Sequence, residues 1–95
     1  MPVENRRKYL RTHYISHIKY HVVGLEKIHA GGLSVDISKG GLGMITGYPL
    51  NVGDILVFEE DFEFKTDNIS VNTSIVRWTR EIEKDRYRVG LEFIR

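Results

Sequence analysis

Leu33-Ser34-Val35-Asp36-Ile37-Ser38 alternates apolar and polar side chains, Lys39-Gly40-Gly41 interrupts the pattern, and Leu42-Gly43-Met44-Ile45-Thr46 resumes an apolar run. A period of two is the signature of a strand with one buried face. It predicts Leu33, Val35 and Ile37 toward a core and Ser34, Asp36 and Ser38 on the opposite face. The paired glycines predict a turn that uses positive φ, joining this strand to a second one over Leu42–Thr46. Working outward, the same β-branched and aromatic composition returns in short stretches. Tyr14–Val23 alternates, with Tyr14, Ile18, Tyr20 and Val22 on one face. Ile55–Phe58 follows the loop Tyr48–Asp54, and Phe62 and Phe64 extend it. Ile69–Thr79 is long enough to be bent by a bulge. After a polar turn over Glu81–Asp85, Arg86–Ile94 closes the chain with Tyr87, Val89, Leu91 and Phe93 on one face. Tyr14, Ile18, His21, Val22 and Leu25 also fit helical spacing with Thr12 as a cap, but the residue types favour a strand. Six short strands at these spacings predict an all-β antiparallel barrel or sandwich.

Ninety-five residues suffice for one domain, and 41% hydrophobic with 28% charged residues is a globular composition. With no cysteine, disulfides, thiol nucleophiles and cysteine-ligated metals are excluded. No apolar run is long enough to span a membrane as a helix, and the basic start of the chain lacks the apolar stretch of a secretory signal. A cytoplasmic protein without membrane insertion is the expectation. The net charge of +1 hides an asymmetry. Residues 1–30 hold six Lys/Arg against two acids, whereas residues 51–70 hold one Lys against six. A basic head and an acidic middle point to a local anion site and argue against a broad nucleic-acid face.

His13, His17 and His21 are four apart. On a strand that spacing is about 13 Å, too far to share one ion, so no metal is expected. Asp36 and Ser38 lack the elbow motif of a hydrolase, and no catalytic constellation stands elsewhere, so no enzyme activity is expected. Two features remain. Arg7-Lys8-Tyr9-Leu10-Arg11, preceded by Arg6, is a basic arm with little to bury. Asp36-Ile37-Ser38-Lys39-Gly40-Gly41 is the polar edge and turn of the strand pair above.

An R-x-x-x-R followed about thirty residues later by D-x-S-x-x-G resembles the PilZ domain family. Leu50-x-x-Gly53-Asp54 before a strand and the closing Arg88-Val89-Gly90-Leu91-Glu92-Phe93-Ile94 extend the likeness over residues 6–95. The resemblance implies a six-stranded antiparallel β-barrel and a receptor for the bacterial second messenger cyclic di-GMP. It also implies a downstream protein partner and no other cofactor. Many family members continue into a C-terminal helix, which is expected to be absent or cut away here. The resulting division is a flexible basic arm over residues 1–12 and a barrel over residues 13–95. The alternatives are a small β-barrel that binds nucleic acid, or a PilZ-like adaptor without ligand.

Arginine matches the O6/N7 edge of guanine and the phosphodiester with one planar fork, so Arg7 and Arg11 suit this ligand. A carboxylate is needed for the donor edge of guanine, and Asp36 supplies it. Asp36 and Ser38, at i and i+2, are expected about 6–7 Å apart on one strand face. Gly40 and Gly41 are expected to admit the ligand close to the backbone. The family resemblance adds two roles: Trp78 stacking on a guanine, and Arg6 favouring two stacked ligand molecules. The arm is expected to close over the ligand and so change a surface that a partner reads.

Overall fold

The computed structural model describes residues 12–64 and 69–94. Six strands follow one another: β1 (Thr12–Val22), β2 (Leu25–Ile37), β3 (Gly41–Thr46), β4 (Ile55–Phe64), β5 (Ile69–Glu83) and β6 (Arg86–Phe93). Every pairing is antiparallel, and the order β1-β2-β3-β6-β5-β4 closes on itself as a barrel. The β1–β4 ladder, Tyr20–Val22 against Leu56–Phe58, makes this a barrel and excludes an open sandwich. Among the described residues there is no helix, and so none long and apolar enough to cross a membrane. The arm expected over residues 1–12 lies outside the described residues except for Thr12, which is the first residue of β1.

Tyr14–Val23 is therefore a strand, and it turns at Val23-Gly24, with Gly24 at φ 91°, straight into β2. β2 starts at Leu25, well before Leu33, because it pairs with β1 as a long hairpin. The alternation does not announce that early half, in which Ala30, Gly31 and Gly32 carry little side chain. β5 runs on to Glu83, so the turn is only Lys84-Asp85, with Asp85 at φ 60°.

The barrel interior is filled by alternate residues of each strand. Ile18, Tyr20 and Val22 of β1, Leu42 and Met44 of β3, Leu56, Phe58 and Phe62 of β4, Val71 and Val76 of β5, and Val89, Leu91 and Phe93 of β6 are all buried. Leu50 enters the same core from the β3–β4 loop. That loop is pinned to β5 by Gly53 N–H donating to Val76 C=O and Val76 N–H donating to Asp54 C=O, each at 2.9 Å.

Of the bulges that break the alternation, two matter for the site. In β2, Ser34 pairs with Met44 and Asp36 with Gly43, so one residue of β3 step is matched by two of β2. Val35 is the extra residue. Ser34 is consequently fully buried beside Met44, and Leu33 is on the outer face with Ile45. Only Ile37, opposite Leu42, reaches the core as expected. The inward placement of Leu33 and Val35 is thus corrected: an inserted residue reverses the parity of everything before it. In β5, Val76 pairs with Leu91 and Trp78 with Gly90, so Arg77 is extra and Trp78 is turned outward. The buried Ser34 hydroxyl is satisfied by β1, accepting from Ser16 N–H at 3.0 Å and donating to Ser16 C=O at 3.2 Å.

At the opposite end of the barrel, Thr46 Oγ1 donates to Gly31 C=O at 3.0 Å and therefore accepts from Tyr20 Oη, 2.7 Å away, and from Tyr48 N–H. Burial raises the Tyr20 phenol above its ordinary value of 10.0, and Tyr48 adds to the shift. The unfolded chain therefore loses this proton first as pH rises. The stabilisation is complete below about pH 10 and is lost as pH climbs through the folded value. Tyr20→Phe should cost about 0.5–1.5 kcal/mol at neutral pH. In urea melts at about pH 8 and about pH 11, the gap between the natural protein and the variant should shrink at the higher pH. A gap that widens would contradict this origin of the tyrosine's contribution.

Candidate functional site

The two bulges aim their strands at one outward row. Asp36 pairs with Gly43, Gly43 with Gly90, and Gly90 with Trp78, across β2, β3, β6 and β5. Three inter-strand steps make the row about 14 Å wide. Its two central positions carry no side chain. A methyl placed on Gly43 would lie 2.8 Å from Asp36 Oδ1, and one on Gly90 would run into the Trp78 indole at Nε1 and Cε2. The carboxylate thus covers Gly43 and the indole covers Gly90, and both glycines are buried beneath them. Trp78 is 45% exposed, so its ring edge is open to solvent.

Two residues along β3, the next outward row carries Leu33, Ile45, Arg88 and Arg80. Arg88 Nη2 lies 3.6 Å from Asp36 Oδ2, diagonally across β3. Both groups are partly exposed, so the pair adds little stability, but it fixes where the carboxylate points. Arg80 is paired directly with Arg88 on β5. Like charges facing each other across a ladder repel, and an anion between them removes the repulsion. An indole, a carboxylate and two guanidiniums on one face suit a planar, anionic, hydrogen-bonding ligand.

The turn between β2 and β3 differs from its expected form. β2 ends at Ile37, so Ser38 is not a strand neighbour of Asp36 on a shared face. Its side chain is buried, and Ser38 Oγ accepts from Gly40 N–H at 3.2 Å while Ser38 N–H donates to Gly41 C=O at 2.9 Å. The hydroxyl closes the turn that positions Asp36. Gly40 and Gly41 do not adopt positive φ; among the described residues, the glycines that do are Gly24 and Gly53. Gly41 is required by close approach, since a Cβ there would meet the Leu91 carbonyl of β6. Gly40 C=O accepts from Phe93 N–H at 2.9 Å, which ties the turn to the end of β6.

Arg6, Arg7 and Arg11 lie outside the described residues. Their point of attachment does not. Thr12 pairs with Ile37 and His13 with Asp36, so the chain enters β1 at the Asp36 end of the row. From Thr12, five extended residues back to Arg7 reach about 17 Å, more than the width of the row. Gly43, Gly90, Arg88 and Arg80 belong to neither motif, and only the register of β6 against β3 and β5 reveals what its outward face meets.

The family model described as the PilZ domain matches residues 5–95. A search of the solved structures finds a likeness to the Bacillus subtilis inhibitor of motility (MotI/DgrA), with a TM-score of 0.67 and 19% sequence identity. The match covers 95% of this chain and 43% of that protein, so this chain spans less than half of its length, and the likeness concerns the fold. No curated protein matches in sequence.

The glycines give a graded test of this packing. Gly41→Ala confronts a backbone carbonyl, which can move only if β3 and β6 part. Gly90→Ala confronts an indole that can swing into solvent. Gly41→Ala should therefore destabilise more, and Gly90→Ala by about 1–3 kcal/mol with a red shift of Trp78 emission. Urea denaturation showing the reverse order would contradict these assigned contacts.

Proposed function

The chain belongs to the PilZ domain family, and on that footing we propose that it is a receptor for cyclic di-GMP, whose ligand lies across the Asp36–Gly43–Gly90–Trp78 row. The observation that carries this proposal is the convergence of that row with the root of the arginine arm at one end of the barrel. A guanine bound at this row has the exposed Trp78 for stacking and Asp36 for its N1/N2 donor edge. Arg88 and Arg80 face its acceptor edge or a phosphodiester oxygen. Arg7 and Arg11, arriving from Thr12, close the remaining side. Ser38, Gly40 and Gly41 act through the turn that holds Asp36.

Hydrogen bonds to charged groups contribute roughly 1.5–3 kcal/mol each, so four or five leave micromolar or better affinity once the cost of ordering the arm is met. Ligand binding also competes with the Asp36–Arg88 pair, which gives the site a built-in exchange of partners. The arm, once closed, together with the Gly40–Phe93 link at the end of β6, supplies the altered surface for a downstream protein. The proposal needs no catalytic step and places the protein in the cytoplasm, where this messenger is made.

Calorimetric titration with cyclic di-GMP, with GTP and cyclic GMP as controls, tests the proposal. Arg7→Ala and Arg11→Ala should each weaken binding at least about tenfold with the fold unchanged. Asp36→Ala should erode the preference for guanine. Trp78 is the sole tryptophan, so its emission should quench on saturation if it stacks. Full affinity in both arginine variants would refute the arm's role. A stoichiometry of two ligands per domain is expected from the Arg6-Arg7 doublet, and a value of one removes that part.

A further inference from the structure

Arg77 is the surplus residue of the β5 bulge, between Val76, opposite Leu91, and Trp78, opposite Gly90. It has no partner in the β6 register, so the ladder is interrupted immediately before Trp78. The side chain supplies a cross-strand tie at that step. Arg77 Nε donates to Glu92 Oε1 at 2.5 Å. Glu92 is on β6, opposite Ile75, which precedes Arg77 by two residues. The tie therefore runs back along β5, away from Trp78, and spans the interruption. Each end of the glycine row thus follows a bulge and has a carboxylate–guanidinium pair beside it, Asp36 with Arg88 at one end and Glu92 with Arg77 at the other.

Glu92 is also fixed to the opposite end of the row through its backbone. It is paired with Gly41, and a Cβ on Gly41 would lie 3.2 Å from Glu92 Cα. The next residue, Phe93, donates its N–H to Gly40 C=O. Glu92 thus stands on the part of β6 that is packed against the β2–β3 turn, and that turn holds Asp36. Its side chain reaches the bulge that carries Trp78. Arg77 and Glu92 are 59% and 53% exposed, so their pair adds little to the stability of the barrel. What it fixes is geometry, at the one step of β5 next to Trp78 where backbone pairing is missing.

We propose that the Arg77–Glu92 pair is a brace that holds the β5 bulge in one form and so positions the Trp78 indole relative to Asp36. Arg77 and Glu92 are positioning residues, acting on a ligand through the indole. The proposal rests on the glycine row being the ligand site only for its effect on affinity. The brace itself is a property of the empty protein.

Arg77→Thr, Glu92→Thr and the exchanged pair Arg77→Glu/Glu92→Arg test it, since threonine suits a strand and is too short to span the two positions. In the unliganded chain, time-resolved anisotropy of Trp78, the sole tryptophan, should show wider fast motion in each single variant and the natural value in the exchanged pair. Amide exchange at residues 77–79 should quicken about two- to fivefold in each single variant, the loss expected of one exposed pair. The amides of Tyr20 and Leu42, both fully buried, should keep their natural rates. Calorimetry with cyclic di-GMP should show affinity about two- to fivefold weaker in each single variant and recovered in the exchanged pair. Unchanged anisotropy in both single variants, an exchanged pair that restores neither mobility nor affinity, or faster exchange spread evenly through the core would each overturn the brace. Full affinity in the single variants despite a mobile indole would overturn its positioning role. A natural chain that does not bind cyclic di-GMP would refute the proposed ligand, and the measurements on the unliganded chain would still decide the brace.

Discussion

An extra residue at Val35 decides where Asp36 points. Ser34 is packed inside the barrel against Met44, and in a regular strand a residue two further on shares that face. Asp36 would then be a buried carboxylate in a core of leucine, methionine and valine, a costly position. The bulge turns it outward and still returns Ile37 to the core. Arg77 does the same for Trp78, which a regular β5 would set on the inner face with Val76. The same device acts at both ends of one row, and it is what turns Asp36 and Trp78 outward. Bulges are known to re-aim side chains beside functional sites, and here the ladders show the parity change directly.

The middle of the row meets a complementary demand. Asp36 and Trp78 lie flat over their neighbours only because Gly43 and Gly90 have no Cβ. The glycines here serve space, not backbone conformation. Gly41 does so against the Leu91 carbonyl, and that contact holds the β2–β3 turn close to β6. Electrostatically the face is mixed, with one carboxylate among two guanidiniums. Such a face repels neither a phosphodiester nor a base edge, and the Asp36–Arg88 pair keeps the carboxylate oriented while the site is empty.

Much of this could be read from the chain. β6 could be read in full, because no inserted residue interrupts Tyr87, Val89, Leu91 and Phe93, and each packs inward or against the core. The number and antiparallel pairing of the strands followed from composition and turn residues. The two motifs were also visible, and the root of one does meet the other across the β1–β2 hairpin. What could not be read was parity. Leu33 and Val35 alternate as regularly as Ile37, and nothing in their types marks Val35 as surplus. The role of Ser38 was misplaced for a related reason. Its hydroxyl satisfies a backbone N–H in the turn, a local bond that depends on β2 ending one residue earlier than the alternation suggests. Arg88, Arg80, Gly43 and Gly90 belong to three strands, and only cross-strand register gathers them.

β1 joins the edge of the candidate site to the core of the barrel. Its first residues pair with the strand that carries Asp36, and its last ones pair with β4. Between them, the β1–β2 register shifts from His13 to Ser16, leaving Ile15 73% exposed and the Ser34 hydroxyl bridging the interruption. A ladder is weakest where its backbone bonds are replaced by one side chain, so the upper part of β1 is the part most able to shift without disturbing the core below Ile18. The arginine arm is continuous with that part. Thr12 and His13 pair with Ile37 and Asp36, so any displacement of the chain entering β1 reaches the Asp36 strand first.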